Sequence, residues 1–447
     1  MALTGLDIYK KLPKENCKEC GLPTCLAFAM KVASGQAGLD QCPRLSDEAR
    51  GELGEASTPP QRLVKIGTGQ HAVEIGQETV LFRHEEKFHH GTAVALTLSD
   101  KGDEAGLKAA CESFKQLAFT RVGETIHPDM IALMNDSGST GTFAAAAKIV
   151  AEALDVPVVL VGTKDAVEAA ATGPLAGKKP LLYCRGEVAA DALAELARKT
   201  GSPICVAGSL KQVAEAVEAL GKLGVKDVVI SPGPCEPAGT LDFLTRSRRA
   251  ALRKKFRPLG CPVLAVAVGQ DKELAALDAC TYVAKYAGVV VSDAWEPHLL
   301  APVLTTRQNI YTDPQKPVQV EARLYDIGEV TPQSPILVTT NFSLSYYSVE
   351  AEAEASRMGC RILAVDTEGT SVLTAWAADK FNAETITSAL KACKAEETVS
   401  HRKLILPGHV AVLAASVADE SGWEVLVGPK EATGIAPYLK NEWKVAG

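Results

Sequence analysis

From Ala93 to Ser292 the chain alternates short, continuously apolar runs with alanine-rich amphipathic stretches. The runs are Val94–Leu98, Ile131–Met134, Pro157–Val161, Pro180–Cys184, Pro203–Ala207, Asp227–Ile230, Pro262–Val266 and Val289–Val291. Apolar side chains at successive rather than alternate positions are what parallel strands need when both faces are covered. Eight such runs, mostly spaced to admit one helix each, predict a (β/α)8 TIM barrel. An open doubly wound sheet is the alternative arrangement.

A second, smaller alternation follows a Pro-, Asp- and Gln-rich connection over Tyr311–Pro335. Strands are expected at Ile336–Thr339, Arg361–Asp366, Lys403–Leu406 and Glu424–Val427. Helices are expected near Val349–Met358, Ser371–Lys380, Glu384–Ala395, Val410–Ala418 and Ile435–Lys440. This pattern predicts a flavodoxin- or Rossmann-like α/β domain with its ligand at the carboxyl ends of the strands. The loops there are Thr340–Ser348, Thr367–Thr374, Pro407–His409 and Gly428–Gly434, all small, hydroxylic or glycine-rich. Such loops expose backbone N–H groups and suit a large ligand bearing amides or phosphates. Ser348, Thr370 and Thr433 also read as helix N-caps. Neither a Walker A motif nor G-x-G-x-x-G is present, so a nucleotide is not favoured. In the barrel, Asn135–Thr142 reads either as a turn with a cap or as an anion or pterin-like site. No acid–base pair or nucleophile triad stands out.

The strongest chemical signal precedes both alternations. Cys17, Cys20, Cys25 and Cys42, the last followed by Pro43, form C-x2-C-x4-C-x16-C-P. Four thiolates are the ligand set of a cubane iron–sulfur cluster, and a ligand beside proline recurs in ferredoxin-type sites. A structural zinc ion also takes four thiolates, but usually from two short Cys pairs. Two disulfides fit less well, because no signal peptide or bilayer-spanning apolar run is visible and a reducing cytoplasm is the expected setting. Gly21 and Pro23 turn the chain, Thr24 is placed as an N-cap, and Cys25–Ala33 reads as a helix whose N-terminal dipole favours a thiolate. Lys14, Lys18 and Lys31 either offset cluster charge or are ordinary surface lysines. Gly51–Pro60 (GELGEASTPP) reads as a linker. The expected domains are 1–57 for the cluster, 58–310 for the barrel and 311–447 for the C-terminal α/β unit.

Composition narrows the partners. The chain has 447 residues, is 47% hydrophobic and 23% charged, and carries a net charge of −7. That balance gives no basic footprint for nucleic acid or an anionic membrane. The other eight cysteines are scattered singly, several in apparent strands where a thiol is inert. His89-His90 has no partner at ligand spacing.

The N-terminal cysteine motif, the eight-fold barrel and the small C-terminal α/β domain together resemble the large (gamma) subunit of the corrinoid iron–sulfur protein of the reductive acetyl-CoA pathway. The opening NCKECGLPTCLAFAMKVASG is especially similar. The resemblance implies a methyl carrier, a subunit acting within a corrinoid-dependent methyltransferase system of the transferase class. It would take a methyl group at Co(I) of a cobamide from methyltetrahydrofolate, through a methyltransferase, and deliver it to acetyl-CoA synthase/CO dehydrogenase. It implies that Cys17, Cys20, Cys25 and Cys42 hold a 4Fe-4S cluster that reactivates Co(II). Thr370, Ser371, Val372, Leu373 and Thr374 would pass close to the lower face of the corrin. Thr340, Tyr346, Gly408, Thr433 and Gly434 are further expected contacts, taken from loop ends. A small subunit forming a heterodimer and an electron donor such as a ferredoxin are implied partners. The D-x-H-x-x-G motif that gives cobalt a histidine elsewhere is missing, since neither His401 nor His409 has that context; this agrees with base-off binding without a protein ligand. An iron–sulfur oxidoreductase with a substrate or flavin site in the barrel or C-terminal domain is the second reading, and a zinc-stabilised scaffold the third.

Overall fold

The computed structural model describes residues 5–33, 37, 39–46, 49 and 60–443. They fall into two compact units. One comprises Met1–Phe82, Phe88–Leu117 and Pro128–Tyr311, the other Arg83–Lys87, Ala118–His127 and Thr312–Gly447. Apart from Pro60, the expected linker over Gly51–Pro60 lies outside the described residues.

At the N-terminus, helices Gly5–Lys11 and Cys25–Ala33 pack together around Ile8, Leu12, Phe28, Ala29, Cys42 and Leu45. The second helix has the expected bounds, and Thr24 Oγ1 accepts from the Ala27 N–H at 3.0 Å as its cap.

The first unit's sheet chemistry begins with an antiparallel hairpin, β1 (Leu63–Ile66) and β2 (Val73–Gly76), absent from the sequence reading. Strand β3 (Ala93–Ser99) opens the barrel. Before the next barrel strand the chain forms a short hairpin, β4 (Phe119–Arg121) and β5 (Glu124–Ile126). The barrel continues through β6 (Met130–Met134), β7 (Val158–Gly162), β8 (Leu181–Cys184) and β9 (Ile204–Ala207). It closes through β10 (Val228–Ser231), β11 (Val263–Ala267) and β12 (Ala287–Ser292), with β12 pairing back onto β3. All eight strands pair in parallel, in chain order, as a closed barrel, and all eight expected runs are present. Alternate positions fill the interior, among them Ala95, Ala132, Val159, Leu181, Cys205, Val229, Leu264 and Val289. Val64, Ile66 and Ile75 of the first hairpin join that core at 0% exposure. The hairpin lies at the strands' amino-terminal end, where Gly67 N bonds to Lys179 O and Arg62 N to Gly260 O. Burial pushes the Cys184 and Cys261 thiols up to about 11, as expected of inert core cysteines.

The segment joining β2 to the barrel is held by a buried ion pair. Arg248 and Glu78 are 3% and 5% exposed with a closest approach of 3.5 Å. Arg248 also donates to Gln61 Oε1 at 2.9 Å and lies over the Tyr286 and Phe88 rings, while Glu78 Oε1 accepts from the His89 and His90 N–H groups.

In the second unit, β13 (Leu324–Ile327), β14 (Ile336–Thr340), β15 (Cys360–Val365), β16 (Lys403–Leu406) and β17 (Glu424–Val427) form one sheet in the order 13-15-14-16-17. The four expected strands are parallel. Strand β13, expected as mere connection, is an antiparallel edge that satisfies the free side of β15. Two stretches inside the expected barrel span, 83–87 and 118–127, cluster with this unit instead. The reason for the second is local: Gly123, at φ +73, ends its turn so close to Tyr347 that any Cβ would collide with the phenol ring. Helix boundaries also shift. The helix expected from Val349 begins at Ser343, and the one expected over Ser371–Lys380 runs only over Val372–Ala377. The Val410–Ala418 helix becomes a 3-10 turn, Gly408–Leu413, followed by helix Ala414–Ser421. The helix expected over Glu384–Ala395 ends at Ala392, and left-handed Lys394 separates it from the short helix Ala395–Thr398. Among the described residues no helix is long and apolar enough to cross a membrane.

Removing one partner of a buried ion pair strands the other charge. Arg248→Met should therefore destabilise the first unit by about 3–5 kcal/mol, read from the denaturant midpoint. A loss below about 1 kcal/mol would mean that the pair is no more than a surface-type bridge.

Candidate functional site

Two constellations carry chemistry. In the first, Cys17, Cys20 and Cys25 are partly exposed free thiols and Cys42 is buried. Burial pushes the Cys42 thiol up, the Arg44 N–H opposes this, and Cys20, Cys17 and Cys25 each add to the rise. The three other thiols are therefore electrostatic neighbours of Cys42, and Cys20 and Cys25 pack against its apolar cluster. The loop is ordered locally: Cys25 N donates to Asn16 Oδ1 at 2.8 Å, and Gly21 N to Lys18 O at 2.9 Å. Lys14 lies over the Tyr9 ring, 5.6 Å from its centroid.

The second constellation is a cleft of about 430 Å³ in the second unit. It opens between the carboxyl ends of β14 and β16, where the strand order reverses: the chain leaves β14 for β15 on one side and returns to β16 on the other. This is the switch point at which open α/β sheets bind ligands. Its floor is Leu337, Val338, Ile405 and Leu406, and its walls carry Ser345, Ser348, Ser371 and the backbone of Gly428. Leu344 and Leu373 on its wall are 51% and 47% exposed. Half-exposed leucines beside a cleft are a surface that an apolar ligand covers.

The expected contacts distribute unevenly. Ser371, Val372 and Leu373 line the cleft, whereas Thr374 and Thr370 are outside its lining. Thr374 Oγ1 accepts from Ser371 Oγ, and Thr370 Oγ1 donates to Thr367 O. Gly408 stands between the lining residues Pro407 and His409; a Cβ there would meet Gly428 O and Lys430 N, so only glycine lets the two loops touch. Thr433 and Gly434 occupy the 3-10 turn between the lining residues Ala432 and Ile435. Thr340 is buried at the end of β14 with Oγ1 lacking a hydrogen-bond partner among the described residues. Tyr346 does not line the cleft. It is on a helix rather than a loop, packs on Tyr325 and Tyr347, and donates to Glu350 at 2.8 Å, and burial pushes its hydroxyl up. Ser348 is likewise inside the helix, donating to Leu344 O, not an N-cap.

Sequence reasoning passed over the residue that organises these loops. Asn341, 3% exposed, accepts through Oδ1 from Thr367 N, Thr367 Oγ1 and Gly369 N, and donates through Nδ2 to Gln319 and Asp366. A lone Asn after a strand was its only signal. His409, Lys430 and Glu431, also missed, line one end of the cleft, with His409 Nε2 3.5 Å from Glu431. His401 is occupied elsewhere, between Ser334 O and Lys403 N. In the barrel, Asn135–Thr142 acts as a turn with a cap. Asp100 accepts from Asn135, Asp136 N and both the N–H and hydroxyl of Ser137, and Ser139 caps the next helix.

An iron–sulfur cluster family model matches residues 12–44, which defines the class: an iron–sulfur protein built on a (β/α)8 barrel and a second α/β unit. A second model, the CO dehydrogenase/acetyl-CoA synthase delta subunit, matches residues 63–439. The corrinoid/iron–sulfur protein large subunit of Moorella thermoacetica is 45% identical, over 98% of this chain and 99% of its own. The acetyl-CoA decarbonylase/synthase complex gamma subunits of Methanothermobacter thermautotrophicus and Methanopyrus kandleri are 34% and 33% identical, each over 98% of this chain and 99% and 98% of theirs. The chain belongs to this family of corrinoid/iron–sulfur protein large subunits. Among solved structures, Vibrio fischeri dihydropteroate synthase aligns at a TM-score of 0.37 and 14% identity, covering 50% of this chain and 95% of its own, too slight a likeness to carry an argument.

Asn341→Ala should leave the Thr367 and Gly369 amides without their acceptor. Each buried orphan costs about 1–3 kcal/mol. Hydrogen exchange at those two amides should accelerate at least about tenfold; unchanged exchange would show that the loop holds itself.

Proposed function

We propose that the chain is a corrinoid-dependent methyl carrier. It would accept a methyl group from methyltetrahydrofolate through a methyltransferase and deliver it to acetyl-CoA synthase, with a small subunit as its heterodimer partner and a ferredoxin-type protein as electron donor. A reducing cytoplasm is the proposed setting. The observation that carries this reading is the full-length relation to corrinoid/iron–sulfur large subunits, joined to a switch-point cleft and a separate four-thiol loop in the same chain.

The residues present fit both groups. Cys17, Cys20, Cys25 and Cys42 would hold a 4Fe-4S cluster. A zinc ion needs all its ligands within about 2.3 Å of one centre, whereas a cubane binds each thiolate through a different iron and takes a wider set. The iron–sulfur family model over residues 12–44 supports the cluster over zinc. The sheet order 15-14-16-17, once the antiparallel edge is set aside, is that of flavodoxin-like domains and supports the C-terminal unit as the corrinoid-binding one. There Ser371, Val372, Leu373 and Ser345 would lie against the cobamide, with Thr340, Thr370, Thr374, Gly408, Thr433 and Gly434 shaping the loops behind them. The missing D-x-H-x-x-G motif supports base-off binding without a histidine on cobalt.

When bound, cobamide supplies a nucleophilic cobalt for methyl transfer and the cluster supplies single electrons to restore it after oxidation. The protein's own residues do the rest. The leucines exclude water, the serines and bare backbone meet amide side chains, and Asn341 keeps Thr367–Thr370 in shape.

Anaerobically purified protein should show corrinoid bands and contain cobalt; absence of both would sink the proposal. Cys20→Ala should still take up a methyl group when supplied as Co(I), yet fail reductive reactivation from Co(II) by a protein donor. Normal reactivation would show that electrons travel another way.

A further inference from the structure

The four cysteines come from two pieces of chain, 25 residues apart at the nearest pair of clasping side chains. Cys17, Cys20 and Cys25 belong to the loop between the two N-terminal helices and to the second helix, and Cys42 to the segment beyond it. Each piece has local backbone hydrogen bonds: Gly21 N to Lys18 O on one side, Cys42 N to Leu39 O and Leu45 N to Cys42 O on the other. The loop is also unusual in its backbone. Asn16 and Lys18, which flank Cys17, are left-handed at φ 48 and 61, as is Lys14 at φ 61. Non-glycine residues stay in that region only when their surroundings hold them there.

Arg44 spans the two pieces. Its Nη1 donates to Glu15 Oε2 at 2.6 Å, its Nε to Glu19 Oε1 at 3.0 Å, and its Nη2 also pairs with Glu19. Glu15 stands two residues before Cys17, Glu19 directly before Cys20, and Arg44 two residues after Cys42. One guanidinium fork therefore grips the loop on both sides of its first thiol, Cys17, from a position beside the fourth. A planar, multi-donor head is what this geometry requires; a lysine ammonium has no such fork. The charges point the same way. One cation held between two carboxylates from the other piece is well suited to holding two segments together.

We propose that Arg44 is a positioning residue, a clasp that keeps the Cys42 segment closed against the Cys17–Cys20 loop. This rests on the reading of the four cysteines as cluster ligands. In a filled site the iron–sulfur bonds would themselves join the two pieces, and the clasp would limit how far they part when one such bond opens.

The test uses the full-length protein purified anaerobically with its cluster. Iron release to a ferrous chelator is followed by loss of the visible cluster absorption, and the cluster midpoint potential is measured alongside. Arg44→Met and the double variant Glu15→Gln/Glu19→Gln should both release iron faster, by about five- to thirtyfold, the change expected from losing two well-made exposed ion pairs. Arg44→Lys should recover only part of the wild-type rate. Their potentials should move in opposite directions, since one variant removes a positive charge and the other removes negative ones. Release rates that also move in opposite directions would overturn the clasp and leave Arg44 as a simple charge. Unchanged release in both variants, or full recovery with lysine, would overturn it as well. Should Arg44→Met fail to fold, the Glu15/Glu19 variant decides alone. Wild-type protein lacking iron and sulfide would instead refute the ligand reading, and the clasp with it.

Discussion

A parallel strand buried on both faces must have both edges satisfied as well, and this chain meets that requirement in two ways. In the first unit eight strands close on themselves, so no edge remains. The enclosed space is then filled by alternate side chains, and the β1–β2 hairpin adds Val64, Ile66 and Ile75 to that core. In the second unit the sheet stays open. One edge is capped by the antiparallel β13, and the chain reverses its direction of winding at β14. An open sheet that reverses leaves a crevice between its two halves, and a closed barrel does not. The cleft is thus a consequence of topology before it is a consequence of any particular side chain.

Electrostatics organises the other constellation. Burial holds the Cys42 thiol against ionisation, and its three neighbouring cysteines add to that. The apolar core of the N-terminal piece, with Ile8, Leu12, Phe28 and Leu45, is small and includes Cys42 itself. The cleft residues need no cofactor to take their places. Asn341 sets the Thr367–Thr370 turn by hydrogen bonds, and the glycines at 408 and 428 let adjoining loops approach.

The alternation of apolar runs was enough to find every barrel strand and the four parallel strands of the second sheet, because a strand covered on both faces has no polar phase to confuse the pattern. Short two-stranded hairpins such as β4–β5 carry too few residues for any periodicity, and β13, at an edge, mixes Leu324 and Ile327 with Tyr325 and Asp326. The helix starting at Ser343 was misread as loop because its first turn, Ser-Leu-Ser-Tyr, is hydroxyl-rich in the same way as the true loops. That error put Tyr346 among the expected contacts, although its ring faces Tyr325 and Tyr347.

By itself the sequence determined the spacing of the four N-terminal cysteines, the cap at Thr24, the helix that starts at Cys25 and the count of parallel strands. Each of these depends on neighbours along the chain or on a local hydrophobic period. Only the tertiary structure decided that Ser371, Val372 and Leu373 share a cleft with Ser345, His409 and Glu431, that Asn341 holds the intervening turn, and that Arg44 reaches Glu15 and Glu19. Those pairings join residues tens of positions apart, and nothing in a one-dimensional pattern records which strand ends the fold will set side by side.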